Sequence, residues 1–118
     1  MFSSNVAKEV EKNTNYRKVI HTTGNVQLVY MNIDIGEDIP LERHDGTQIF
    51  NIISGNGVLK SGNKKKILRS GVVAIVPPFV NHYLKNTSNT VPLKLFTIYT
   101  PPEHPKNTIH RTQRQNLE

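Results

Sequence analysis

From residue 17 to residue 100 the chain is a succession of short β-type runs: RKVIHTT, VQLVYMNI, TQIFNIIS, GVLKSG, KKILRS, VVAIV, HYLKN and LKLFTIYT. Each is rich in β-branched or aromatic residues, which fit a pleated, half-buried surface. Turn material separates them, as TGN, IGEDIP, SGNG, SGN, PPFVN and NTSNTVP, so the chain must reverse about every ten residues. No helical stretch alternates with these runs, which argues against the α/β folds that bind nucleotides. The pattern predicts an all-β, antiparallel sandwich or barrel. A length of 118 residues suits one domain, with a core at about 17–100 and a tail over 101–118.

The flanks read differently. NVAKEVEK, residues 5–12, predicts a short helix capped by Asn5. The tail PPEHPKNTIHRTQRQNLE is too polar and proline-broken to extend a sheet, and it is expected to fray from about Gln113. GNGVLK at 55–60 lacks the third glycine of a phosphate-binding motif and reads as a hairpin turn.

Several function classes are disfavoured. The longest apolar runs, such as GVVAIV at 71–76, are far short of a membrane span, and the opening MFSSNVAKEVEK has charges where a signal peptide needs apolar residues. A soluble, cytoplasmic protein is expected. Cysteine is absent, which rules out disulfides, thiolate metal sites and a cysteine nucleophile, so a metal must take nitrogen and oxygen ligands. The net charge is +6, yet the fifteen Lys and Arg are scattered, and only NKKK at 63–66 forms a run, beside a predicted hairpin turn. A nucleic-acid partner is not expected.

One stretch does not fit a plain strand. In PLERHDGTQIF, residues 40–50, alternation puts Glu42 and His44 on one face, and Gln48 follows at an even offset with Phe50 and Ile52, which are core-directed. Gly46 is a candidate bend. A carboxylate turned inward needs compensation. A metal ion compensates it, with nitrogen from His44 and oxygen from Glu42 and Gln48. The competing reading is an exposed edge strand in which His44 bonds a backbone carbonyl.

A second cluster, GVVAIVPPFVNHYLKN, residues 71–86, carries a strand into a Pro-Pro turn and then His82. Together with GEDIPLERHDGTQIFNIISG it resembles the two signature motifs of the cupin superfamily. Gly36, Glu42, His44, Gln48 and Gly55 occupy the places of the first motif; Gly71, Pro77, His82 and Asn86 occupy those of the second, where Phe79 replaces a glycine. Glu42 stands for the usual first histidine and Gln48 for the usual glutamate. Over its whole length the chain resembles small cupins labelled mannose-6-phosphate isomerase-like. The resemblance implies a double-stranded β-helix, the cupin jelly-roll barrel. It implies one divalent metal ion, Fe, Mn, Ni or Zn, held by Glu42, His44, Gln48 and His82. It also implies a homodimer.

Three further residues are candidates for proton transfer: Tyr99 on the last strand, and His104 and His110 in the tail, where PPEHPKNTIH, with Glu103, either is a surface tail or folds over the barrel mouth or a partner subunit. For Tyr99, an inward hydroxyl competes with a half-buried surface ring. Tyr83 reads as packing and His21 as structural. The implied function is a metal-binding cupin acting on a small polar molecule, an isomerase or related lyase first, with a metal-dependent dioxygenase or a non-catalytic ligand-binding cupin as alternatives.

Overall fold

The computed structural model describes residues 1–116. In it the helix α1 covers Val6–Lys12, with the Asn5 side chain accepting from the Lys8 N–H. Nine strands follow: β1 (Arg17–Thr22), β2 (Gln27–Ile33), β3 (Asp38–Glu42), β4 (Thr47–Ser54), β5 (Asn56–Ser61), β6 (Lys64–Arg69), β7 (Val73–Val76), β8 (His82–Asn86) and β9 (Leu93–Thr100). A two-residue strand β10 (Ile109–His110) and a helical turn α2 (Gln113–Asn116) are the last elements among the described residues. Among the described residues no helix is long and apolar enough to cross a membrane.

The strands form two antiparallel sheets, ordered β10-β1-β2-β9-β4-β7 and β3-β8-β5-β6. From β2 to β9 the chain passes to the other sheet at every connection except the β5–β6 hairpin. That hairpin turns at Gly62 and Asn63, with Gly62 at φ +59, the left-handed conformation a tight hairpin uses. This is the jelly roll, or double-stranded β-helix: two faces pack on each other without closing into a continuous barrel.

Alternation drives the packing. On β9 the inward residues are Leu93, Leu95, Thr97 and Tyr99, and on β4 they are Gln48, Phe50 and Ile52. Met31, Ile33, Ile39, Leu68 and Leu84 complete the core between the sheets. Each large side chain so buried contributes about 1.5–3 kcal/mol relative to exposure.

Four expectations are corrected. GNGVLK is not a hairpin, because Gly55 carries the chain from β4 in one sheet to β5 in the other. A Cβ on Gly55 would lie 2.4 Å from the Pro92 carbonyl oxygen, so the corner admits only glycine. Asp38 to Pro40, read as turn, begin β3. The tail does extend the larger sheet, since β10 pairs with β1 through Arg17↔His110 and Lys18↔Ile109. Nor does it fray at Gln113, whose side chain accepts from the Asp38 N–H at 2.9 Å and donates to Asp38 Oδ1 at 2.6 Å. Leu117 and Glu118 lie outside the described residues.

Candidate metal centre

The inward turn of Glu42 comes from a β-bulge. Ile39 pairs with Leu84 and Glu42 with His82, so β3 has one more residue than β8 over that interval. In a regular ladder Leu41 would stand opposite His82. The bulge instead leaves Leu41 outside, 69% exposed, and swings Glu42 toward the core. The chain then leaves β3 through residues 43–46 and enters β4 in the other sheet. Glu42 and Gln48 therefore do not share one continuous strand face, as simple alternation predicted; they approach each other from opposite sheets. Gly46 permits the crossing: a Cβ there would lie 2.4 Å from the Thr100 carbonyl oxygen and 2.5 Å from Pro101 Cδ.

His44 sits in this crossing. Its carbonyl oxygen accepts the Phe79 N–H at 2.8 Å, tying its loop to the one that leads into His82. Phe79 holds φ +65, left-handed backbone that a glycine adopts without strain, at the position where the resembled motif has glycine. His82 begins β8, and its Nδ1–H donates to the Val80 carbonyl at 3.0 Å. That bond leaves the Nε2 lone pair free to face inward. Gln48 donates through Nε2 to Thr97 Oγ1 at 3.1 Å and to the Tyr99 hydroxyl at 3.0 Å, which turns its Oε1 to within 2.9 Å of His82 Nε2.

The ligand atoms converge. Glu42 Oε1 lies 3.1 Å from His44 Nε2 and 3.3 Å from His82 Nε2. One atom each from Glu42, His44 and His82 falls within 4.8 Å of both others. Two atoms bound to one ion at about 2.1 Å, at cis or tetrahedral angles, stand roughly 3.0–3.4 Å apart, so the spacing suits a shared cation. Among the described residues, the buried Glu42 Oε1 and both ring nitrogens of His44 have no hydrogen-bond partner of good geometry. Several lone pairs facing one point repel unless a proton or a cation lies between them. The residues present fit a divalent ion.

The charges reinforce one another. Burial pushes the Glu42 carboxyl up, but His44 and His82 beside it hold it down at about 2. Burial pushes the His44 imidazole down, yet Glu42 and then Glu103 act against it and leave it raised. The cluster thus holds a carboxylate at neutral pH.

Tyr99 is inward and 2% exposed, so the surface-ring alternative fails. Its Cα partner on β4 is Gln48. Burial, and next the Glu42 charge, raise its hydroxyl well above the usual range, which keeps it a neutral donor. His104 Nε2 stands 3.4 Å from the Tyr99 hydroxyl, and burial and then Arg17 hold its imidazole down at about 4. His110 meets Arg17 instead, accepting from Nη1 at Nδ1 over 3.2 Å. Tyr83 donates to Asp38 Oδ2 at 2.7 Å, and exposed His21 stacks on Phe2. Asn86, the last position of the second motif, is structural: its Nδ2 donates to the carbonyls of Ile33 and Val91.

Sequence reasoning singles out Glu103 with His104 and His110 but does not pair it with His44. Its Oε1 lies 3.1 Å from His44 Nδ1. A tail folded over the barrel mouth is one of the two readings of PPEHPKNTIH, but nothing in the spacing shows which side chain of the site the carboxylate meets. A cavity of about 300 Å3 lies beside His82, walled by Leu59, Ile75, Val76 and Val80 and flanked by Lys64 and Lys66.

Comparison with known proteins agrees with the fold. Residues 29–99 match the family model described as Cupin domain. The chain is 36% identical to the protein YrkC of Bacillus subtilis, over 95% of this chain and 63% of that protein. It is 39% identical to a protein of Acanthamoeba polyphaga mimivirus, over 89% of this chain and 68% of that protein. The chain thus spans less than two thirds of the length of YrkC. The crystal structure of BH2720 from Bacillus halodurans superposes with a TM-score of 0.95 at 31% identity, covering 98% of this chain and 92% of that one. By fold, by motif and by these matches, the chain belongs to the cupin superfamily.

Proposed function

We propose that residues 1–118 act as one metal-binding cupin unit, with Glu42, His44, Gln48 and His82 as protein ligands, and that it isomerises a small polar molecule. The observation that carries the reading is the meeting of Glu42 Oε1, His44 Nε2, Gln48 Oε1 and His82 Nε2, brought from two sheets and the segment between them: Glu42 Oε1 lies 3.1 Å from His44 Nε2 and 3.3 Å from His82 Nε2, and Gln48 Oε1 lies 2.9 Å from His82 Nε2. Two imidazoles, one carboxylate and one neutral oxygen suit Fe, Mn, Ni or Zn. When bound, such an ion polarises neighbouring oxygens of a substrate and acidifies the C–H bond between them.

The chain's own residues supply the rest. The Tyr99 hydroxyl accepts from Gln48 Nε2, which leaves its proton directed to His104 Nε2. In this proposal the neutral His104 imidazole takes the proton from one substrate carbon and returns it to the next, the movement an enediol isomerisation needs, with the Tyr99 hydroxyl as its hydrogen-bond partner. Of the four proposed ligands, His82 lines the mainly apolar cavity of about 300 Å3, a volume at the lower end of ligand pockets. The resemblance to small cupins labelled mannose-6-phosphate isomerase-like agrees with this chemistry, and with it we include a homodimer in the proposal.

The test is elemental analysis of purified, untagged protein after incubation with Fe, Mn, Ni and Zn, beside the His44→Ala, His82→Ala double variant. About one ion per chain in the native protein and none in the variant is expected. Two empty proteins sink the metal reading, and the Gln48 amide would then be rotated to donate to His82. Loaded protein incubated with aldoses and sugar phosphates in D2O is expected to place deuterium on the carbon beside the carbonyl. Saturable binding without exchange would make it a ligand-binding cupin instead.

A further inference from the structure

We infer that Gln27 is a positioning residue for the metal centre, acting through the C-terminal tail. It touches none of the proposed ligands. This inference rests on the metal-centre reading above and adds to it a residue outside both cupin motifs.

Gln27 opens β2 and is fully buried, at 0% exposure. Its Cα partner on β9 is Tyr99, so both side chains share the inner face of the larger sheet. The tail leaves β9 at Thr100 and, until β10, has no strand to satisfy its main chain. Gln27 meets that need. Its Oε1 accepts the N–H groups of Glu103 at 3.2 Å and His104 at 3.0 Å, and its Nε2 donates to the His104 carbonyl at 2.7 Å and to Thr22 Oγ1 at 3.0 Å. All the hydrogen-bonding capacity of one amide is used, three-quarters of it on two consecutive tail residues.

The clamp has two outputs. It sets Glu103 Oε1 at 3.1 Å from His44 Nδ1, where the carboxylate favours a proton on Nδ1 and leaves Nε2 for an ion. It also sets the His104 ring against Tyr99, with centroids 5.2 Å apart, and Tyr99 in turn fixes the Gln48 amide. One buried glutamine therefore holds in place the groups beside two proposed ligands, Glu103 at His44 and the Tyr99–His104 pair at Gln48.

The test uses the full chain and Co2+ alone, reading the dissociation constant and the visible absorption of the bound ion, with far-UV circular dichroism to confirm folding. Glu103→Ala is expected to weaken Co2+ binding about 10–100-fold and to shift the spectrum, and Glu103→Gln, which keeps an acceptor oxygen, to recover most of the loss. Gln27→Ala is expected to weaken binding at least as much, with faster tryptic cleavage after Lys106. If Gln27→Ala does not fold, the Glu103→Ala, His104→Ala double variant, which keeps the main-chain bonds of the clamp, decides the matter. Wild-type affinity and spectrum in the variants, with the tail released or its side chains removed, would overturn the inference while leaving the metal centre intact. A wild type that takes up no Co2+ overturns the metal reading itself.

Discussion

Glu42 on β3 and His82 on β8 are direct partners across the ladder, with Glu42 Oε1 3.3 Å from His82 Nε2. The bulge after Ile39 makes that pairing, and the carboxylate supplies the one formal negative charge among the proposed ligands. Glu42→Gln keeps an oxygen and removes the charge. Metal affinity measured by competition with a chelator is expected to fall by more than the roughly 10–100-fold seen when only an outer partner is lost. An unchanged affinity would mean that Glu42 is not a ligand.

Acid stability of the metal-free protein has an assignable sign. Glu42 sits at about 2 against an ordinary 4.5, so its contribution is whole above pH 4.5 and is lost as the pH falls toward 2. His104 sits at about 4 against 6.5. Between those values the unfolded chain binds a proton that the folded chain refuses, so stability falls as the pH drops from 6.5 to 4. His44, which is raised, works oppositely, adding stability below pH 6.5 that is lost as the pH rises through its folded value. His104→Gln should flatten the fall of Tm from pH 7 to pH 4; parallel curves for variant and wild type would remove His104 as the cause.

Asn86 separates structure from ligation. It is 2% exposed and satisfies the carbonyls of Ile33 and Val91 and the Ser88 N–H. Asn86→Ala leaves buried acceptors unpaired, which costs about 1–3 kcal/mol in denaturant unfolding. Metal affinity of the folded variant should match that of wild type. A loss of metal with stability intact would contradict the assignment.

Phe79 carries strain that can be relieved. Its φ is +65, its side chain is 62% exposed, and its N–H is the group that matters, bonded to the His44 carbonyl. Left-handed backbone costs an L-residue about 1–2 kcal/mol, partly offset by the larger unfolded entropy of glycine. Phe79→Gly is expected to raise stability by up to about 1 kcal/mol. A clear loss in chemical denaturation would show that the exposed ring packs on something.

Much of this was legible in the sequence. Eight strand runs, the α1 cap and the inward set Gln48, Phe50 and Ile52 follow from alternation and turn residues. Glu42 was legible as inward, but for the wrong reason. Alternation from Ile39 would have turned Leu41 inward, and only the cross-strand register with β8 shows the bulge. The roles of Gln27 and Glu103 were not legible, because a glutamine at the head of one strand and a tail about 75 residues later meet only in the folded chain. Tyr99 needed the register with Gln48 to decide its face.

The placement of the four proposed ligand atoms also bears on the mechanics of the molecule. Glu42 and His82 belong to the smaller sheet and Gln48 to the larger, with His44 on the segment that joins them. An ion there would act as a rivet between layers that otherwise adhere through side-chain packing and hydrogen bonds such as that from Asn86 Nδ2 to the Ile33 carbonyl. Its occupancy becomes a tension across the sandwich: at a hundred times the dissociation constant it adds about 2.7 kcal/mol against unfolding. Starving the protein of metal would then slacken the seam between the sheets before it disturbed either sheet's own ladder.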